Sequence, residues 1–323
     1  MTTVETAAGP VDSAELGRTL MHEHVFVLTS DVMQNYGYRW WDEEERLAAA
    51  ARQLNELRAH GFDTIVDLTV LGLGRFIPRI QRLAKLTDVH IVVATGYYTY
   101  DQLAQFFEFR AGPGEPEGLT ELFVRDLADG IADTGVKAGM IKCVLEQRGY
   151  TTGQQLVHEA VCAAHRRTGA PITVHTNARR KTGTEVLDFF AARGVDLAKV
   201  ILGHSGDSND LKYLMSLMDR GATIGCDRFG LEPLNATALR VRTVAELCRR
   251  GYADRIVLSQ DAASFCDFFT GHETTQAVRR DSPNWDYTYL AREVIGKLAA
   301  EGVTAGAITQ MLVTNPRRLL SWR

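Results

Sequence analysis

GMIKCVL (139–145), PITVHT (171–176) and KVILGH (199–204) decide the fold of this chain, because each is a short apolar run rich in Val, Ile and Leu that leads into a helical stretch. Such alternation predicts parallel strands joined by crossover helices. Towards the N-terminus the same unit recurs: TLMHEHVFVL (19–28) precedes WDEEERLAAAARQLNELRAHG (41–61). There Leu47, Ala50, Ala51, Leu54 and Leu57 keep helical spacing, and Asp42 with three Glu suits a helix start. DTIVDLTV (63–70) is followed by a helix over 75–87, and HIVVATGYY (90–98) by a helix from Leu119 to Asp133 after the Gly/Pro-rich loop AGPGEPEG. Towards the C-terminus come ATIGCD (222–227) and RIVLSQD (255–261), then a long irregular segment and a helix from Tyr287 to Glu301. About eight strand and helix units are the count of a closed (β/α)₈ TIM barrel, an α/β fold. An open doubly wound sheet is the alternative, but no GxGxxG opens the first helix and no GxxxxGK[ST] occurs.

The 323 residues would allow two domains by length, and equally one barrel, so 1–323 is expected to be a single (β/α)₈ domain. With 45% hydrophobic and 24% charged residues the chain is an ordinary globular one, with a large core available. Lys and Arg number 36 against 40 Asp and Glu, and the net charge of −4 without a basic run makes nucleic acid and anionic membrane poor partners. Cys143, Cys162, Cys226, Cys248 and Cys266 form no CxxC pair, which points to a reducing cytoplasm. No apolar stretch reaches the roughly 18 residues of a membrane span, and MTTVETAAGPVDSAELG lacks the features of an export signal.

His22 and His24 stand at i and i+2 on the first strand, so an extended backbone points both to one side, where they can share a metal. Taken alone, the pair is equally compatible with coincidence. His175 and His204 each follow an apolar run, and Asp261 holds the equivalent place after the eighth strand. A lone His at a strand end is more often structural, but four His and an Asp at the barrel end that carries active sites favour a site. Imidazole and carboxylate suit Zn, Mn, Fe or Co. Lys142 interrupts a run that a parallel sheet buries on both faces. Either its head pairs with a carboxylate at the strand end, or CO₂ converts it to an anionic carbamate able to bridge two cations.

TLMHEHV, GMIKCV, ITVHT, ILGHSGD and LSQDA, in this order, resemble the phosphotriesterase family of the amidohydrolase superfamily, and most closely its phosphotriesterase-like lactonases. The resemblance runs to the C-terminal VTNPRRLL. It implies a binuclear site of two divalent ions at the C-terminal face of the strands, with His22, His24 and Asp261 on one ion, His175 and His204 on the other, and carboxylated Lys142 bridging them. Tyr98 in ATGYYTY and Arg228 in GCDRFG match positions typical of the lactonase branch; true phosphotriesterases usually carry Trp at the first. Gln260 is a local departure, expected to lie behind the ligands.

The function so implied is opening of lactone rings, chiefly of N-acyl homoserine lactones in quorum quenching, with weak phosphotriesterase activity and Asp261, Tyr98 and Arg228 as catalytic groups. The alternatives are a phosphotriesterase, another amidohydrolase acting on a cyclic ester or amide, or a barrel that binds a small ligand without turning it over. The resemblance also implies a homodimer. In AASFCDFFTGHETTQAVRRDSPNW (262–285), Phe265, Phe268, Phe269 and Trp285 either line a channel for an acyl tail or pack the segment onto the barrel, and His272 is expected at the surface. GHSGDS is not GxSxG and HEHVF is not HExxH, so a serine hydrolase or a zincin lacks its motif.

Overall fold

The computed structural model describes residues 2–111, 117–269 and 273–323. A hairpin of β1 (Thr3–Thr6) and β2 (Gly9–Asp12) precedes the barrel wall. The wall is built from β3 (Thr19–Val27), β4 (Thr64–Asp67), β5 (His90–Gly96), β6 (Met140–Leu145), β7 (Ile172–Thr176), β8 (Val200–Gly203), β9 (Thr223–Cys226), β10 (Ile256–Leu258) and β11 (Ala263–Cys266). All neighbours in this sheet are parallel, in the order β10, β9, β8, β7, β6, β5, β4, β3, β11. The two edges of the sheet, β10 and β11, are one continuous run of chain, so the run 256–266 pairs with β9 at its start and with β3 at its end. That closes a (β/α)₈ barrel, with the eighth strand made in two pieces around Asp261.

Side chains alternate along each strand between lumen and helices. Met21, Val66, Val92, Met140, Ile201 and Val257 meet in an inner cluster, and Ile65, Ile91, Ile141, Val174, Leu202 and Ile224 face the helices. With Met140 inside, Lys142 two residues on also faces the lumen. On β3 the register shifts between Leu20 and Glu23, and this irregularity lets both Met21 and His22 face inward.

The first crossover helix, Glu43–Ala59, starts where Asp42 accepts the Glu45 N–H at 3.0 Å, as its sequence predicts. The helices expected over 75–87 and 119–133 occupy Ile77–Ala84 and Glu117–Ala128. The one expected from Tyr287 begins with a wide π turn at Leu290–Val294 and continues as Ile295–Ala300. The segment after Asp261 is more ordered than its irregular sequence suggests: it holds β11 and a helix at Glu273–Arg280. Residues 112–116 of the Gly/Pro-rich loop and His272 lie outside the described residues. The five cysteines are free, and no described helix is long and apolar enough to cross a membrane.

Candidate metal centre

His22 and His24 on β3, Lys142 on β6 and His175 on β7 are buried together with His204, which follows β8, and they meet the largely buried Asp261 between β10 and β11. The ligand atoms of His22, His204 and Asp261 all lie within 4.8 Å of one another. Two of these residues have left-handed backbones, His204 at φ 64° and Asp261 at φ 53°. Each such non-glycine residue costs on the order of 1 kcal/mol or more, and persists where its surroundings over-determine it. The left-handed turn swings both side chains into the mouth of the barrel.

Each of the four histidine rings in the cluster is held by one nitrogen and leaves the other facing its neighbours. Asp227, at the end of β9, accepts from Nδ1 of His22 at 2.9 Å and from Nδ1 of His204 at 3.0 Å, and also takes the His204 backbone N–H at 2.8 Å. Glu146 faces Nε2 of His175 at 3.0 Å. Thr69 gives its hydroxyl proton to Asp67 at 2.6 Å, so its oxygen accepts from Nδ1 of His24 at 2.9 Å. These partners fix the tautomers and leave Nε2 of His22, His24 and His204, and Nδ1 of His175, as lone pairs.

The lone pairs face other acceptors. Nε2 of His204 lies 2.9 Å from Nδ1 of His175. Oδ1 of Asp261 lies 3.5 Å from Nε2 of His22 and 3.4 Å from Nε2 of His24. Burial lowers His22, lowers His175 to about 4, and brings His204 well below the usual imidazole range, so these rings are neutral at pH 7. Burial opposes ionisation of Asp261, but the Arg228 guanidinium beside it helps to hold the carboxyl well below its usual range. Neutral imidazoles and a carboxylate whose lone pairs converge form a donor set for divalent cations. The residues present therefore fit a metal.

Lys142 is buried, and its Nζ lies 2.9 Å from the lone-pair Nε2 of His22 rather than against a carboxylate. Burial lowers its pKa to about 8, opposed by Asp261 and Asp227, so about a tenth is neutral amine near pH 7, far more than at the ordinary lysine value. Tyr98 sits at the rim with its hydroxyl 2.6 Å from that of Tyr100 and 3.3 Å from Nδ1 of His175. Burial, with Tyr100 beside it, raises the phenol well above its usual value and keeps the hydroxyl protonated. Arg228 is largely buried, with Nε on Asp261 at 2.9 Å and Nη1 on Asp207 at 3.0 Å.

Above the cluster lies a cavity of about 250 Å³, walled by Val27, Leu73, Leu231, Phe268, Phe269 and Trp285, with Tyr98 and Arg228 at its base. Phe265 takes no part; it stacks on Trp40 and carries the Arg46 guanidinium over its ring. Gln260 is buried behind the cluster, donating its amide to the carbonyls of Asp286 and Tyr287.

Sequence reasoning missed the partners that orient the rings. Asp227 ends ATIGCD as the histidines end their strands, and Asp67 interrupts DTIVDLTV as Lys142 interrupts its own run, so a signal existed for both. Glu146 and Thr69 carry none, because polar residues after a strand are ordinary.

A family model described as the phosphotriesterase family matches residues 2–320. A phosphotriesterase homology protein of Mycobacterium tuberculosis is 48% identical over 323 residues, covering 99% of this chain and 98% of the relative. An aryldialkylphosphatase of Saccharolobus solfataricus is 32% identical over 311 residues, covering 96% of this chain and 97% of the relative. A solved structure described as the phosphotriesterase from Mycobacterium tuberculosis superposes with a TM-score of 0.95 at 48% identity, over 99% of this chain and 98% of that one. The chain belongs to the phosphotriesterase family and is a metal-dependent hydrolase of that family.

Proposed function

We propose that this hydrolase opens lactone rings, with N-acyl homoserine lactones as the substrates that suit it best and phosphotriesters as weak ones. The observation that carries this is the shape of polarity in the cavity: an apolar wall ends on Tyr98 and Arg228 directly above the convergent lone pairs. A polar ring joined to an apolar tail matches that order. His22, His24 and Asp261 would hold one divalent ion and His175 and His204 a second, with a carbamate on Lys142 between them. The carbamate forms when the neutral amine adds to the carbon of CO₂ and releases one proton, and a pKa near 8 favours that amine. Homodimeric assembly and a cytoplasmic location belong to the same proposal and rest on the family resemblance and the unpaired cysteines.

When bound, the cations supply Lewis acidity and an oxygen nucleophile at neutral pH. The protein's own groups do the rest. The protonated Tyr98 hydroxyl donates to the carbonyl or ring oxygen as charge develops on it. Asp261, ionised and held by Arg228, receives the proton that the nucleophile gives up and passes it to the departing alkoxide. The apolar wall takes the acyl tail and excludes water from it.

A phosphotriester as the main substrate is the second reading, favoured by the name of the Saccharolobus solfataricus relative. The two separate in one assay, kcat/KM for homoserine lactones of graded tail length against an aryl dialkyl phosphotriester. The lactones are expected to lead by several powers of ten, each tenfold step needing about 1.4 kcal/mol and each buried tail methylene supplying about 0.8 kcal/mol. A phosphotriester turned over as fast as the best lactone would decide for the second reading.

A further inference from the structure

Three successive backbone N–H groups around Asp261 point at the segment His22–Glu23–His24. The Asp261 N–H donates to the His22 carbonyl at 3.0 Å. Its neighbours do something else: the Gln260 N–H donates to Oε1 of Glu23 at 2.8 Å and the Ala262 N–H to Oε2 at 2.7 Å. One carboxylate thus grips the chain on both sides of a single residue, and that residue is the one at φ 53°. Backbone N–H groups converging around a left-handed residue form a concavity suited to an anion. Here that place is taken by the Glu23 carboxyl group, whose ionisation burial opposes and the Gln260 and Ala262 N–H groups favour.

Glu23 touches no part of the cavity above the ligands. It is wholly buried and stands between the two histidines of β3, on the face of the strand away from them. Nothing in the proposed chemistry uses it, and an apolar side chain would be cheaper to bury there. Its two oxygens are nonetheless both filled by the N–H groups that flank Asp261.

We propose that Glu23 is a positioning residue, whose carboxylate staples residues 260 and 262 and so holds Asp261 in the left-handed turn that aims its side chain at His22 and His24. The staple concerns backbone geometry alone. Its consequence for metal rests on the reading of Asp261 as a ligand.

The test uses the full-length chain as Glu23→Gln, Asp261→Asn and the double variant. Gln has the shape of Glu, so a space-filling role survives the change, but its amide accepts only one of the two N–H groups and turns its own NH₂ towards the other. Hydrogen exchange reads the staple: backbone exchange over 259–263 is expected to speed at least about tenfold in Glu23→Gln while 172–176 is unchanged. Unchanged exchange over 259–263 would overturn the proposal. Co²⁺ titration, followed by its visible spectrum, reads the consequence. Glu23→Gln is expected to weaken binding by about tenfold to a hundredfold and to alter the spectrum, and the double variant to bind no more weakly than Asp261→Asn alone. Losses that add would show that Glu23 does not act through Asp261. Parent-like Co²⁺ binding by Asp261→Asn would instead sink the ligand reading, and the exchange arm would still decide the staple. Should Glu23→Gln not fold, Glu23→Asp keeps the charge but falls short of one N–H, and equal exchange over 259–263 in it would likewise overturn the proposal.

Discussion

Nδ1 of His175 and Nε2 of His204 face each other at 2.9 Å, and each is the lone-pair side of its ring because Glu146 and Asp227 hold the opposite nitrogens. Two acceptors that close repel unless a cation lies between or beside them. The carboxylates behind the rings are thus as much a part of the centre as the nitrogens in front.

Asp227→Asn should therefore damage metal binding without touching a ligand. The amide oxygen can serve only one of the two rings that Asp227 now serves, and its NH₂ would face the other and push that ring into the opposite tautomer. Elemental analysis after dialysis against limiting Zn²⁺ should find about two ions per parent chain and an affinity about 10- to 100-fold weaker in the variant. Equal metal content would show that the rings keep their tautomers without it.

Lys142→Ala is expected to lose both metal and activity, because the proposed carbamate bridge would go with the side chain. Added acetate or propionate should restore part of both by filling the place of the carbamate. A Lys142→Ala protein as active as the parent would rule out the bridge.

Tyr98→Phe tests the hydroxyl that lies 3.3 Å from His175. Lactone opening should fall by about tenfold to a hundredfold in kcat, since a ring alkoxide is a poor leaving group and needs the hydrogen bond. Nitrophenolate leaves unaided, so hydrolysis of an aryl phosphotriester should change less. Equal losses on both substrates would reduce Tyr98 to a shaping residue.

Stability in mild acid should depend on His158, far from the metal ligands in sequence. The helix Thr152–Thr168 buries its ring, with the Tyr150 hydroxyl on Nδ1 at 2.9 Å and the Val144 carbonyl on Nε2 at 3.1 Å. Burial lowers its pKa from 6.5 to about 4. Below pH 6.5 the unfolded chain binds this proton before the folded one does, so the contribution is complete above that pH and is lost on acidification towards pH 4. The loss is on the order of 3 kcal/mol. Denaturant unfolding of the parent and His158→Gln between pH 7 and 4.5 checks this: the parent curve should fall more steeply, and parallel curves would refute it.

Much of the centre was legible in the chain because strand patterns are local. GMIKCVL, PITVHT and KVILGH declare their period and their ends within a few residues, and a strand end in a barrel is where chemistry collects, so His175, His204, Asp261 and the out-of-place Lys142 could be named from sequence. What the tertiary structure alone decided is how those side chains are aimed. Asp227 meets His22 across 205 positions of sequence, and Glu23 meets Ala262 across 239, contacts with no local period to announce them. The split of the eighth strand at Asp261 is of the same kind. RIVLSQD reads as one strand, but a closed sheet requires that its chain leave β9 and join β3, and the left-handed turn at φ 53° is where it does so. Strand identity follows from side-chain alternation along a few residues, whereas closure and ring orientation follow from hydrogen bonds between elements that only the folded barrel brings together.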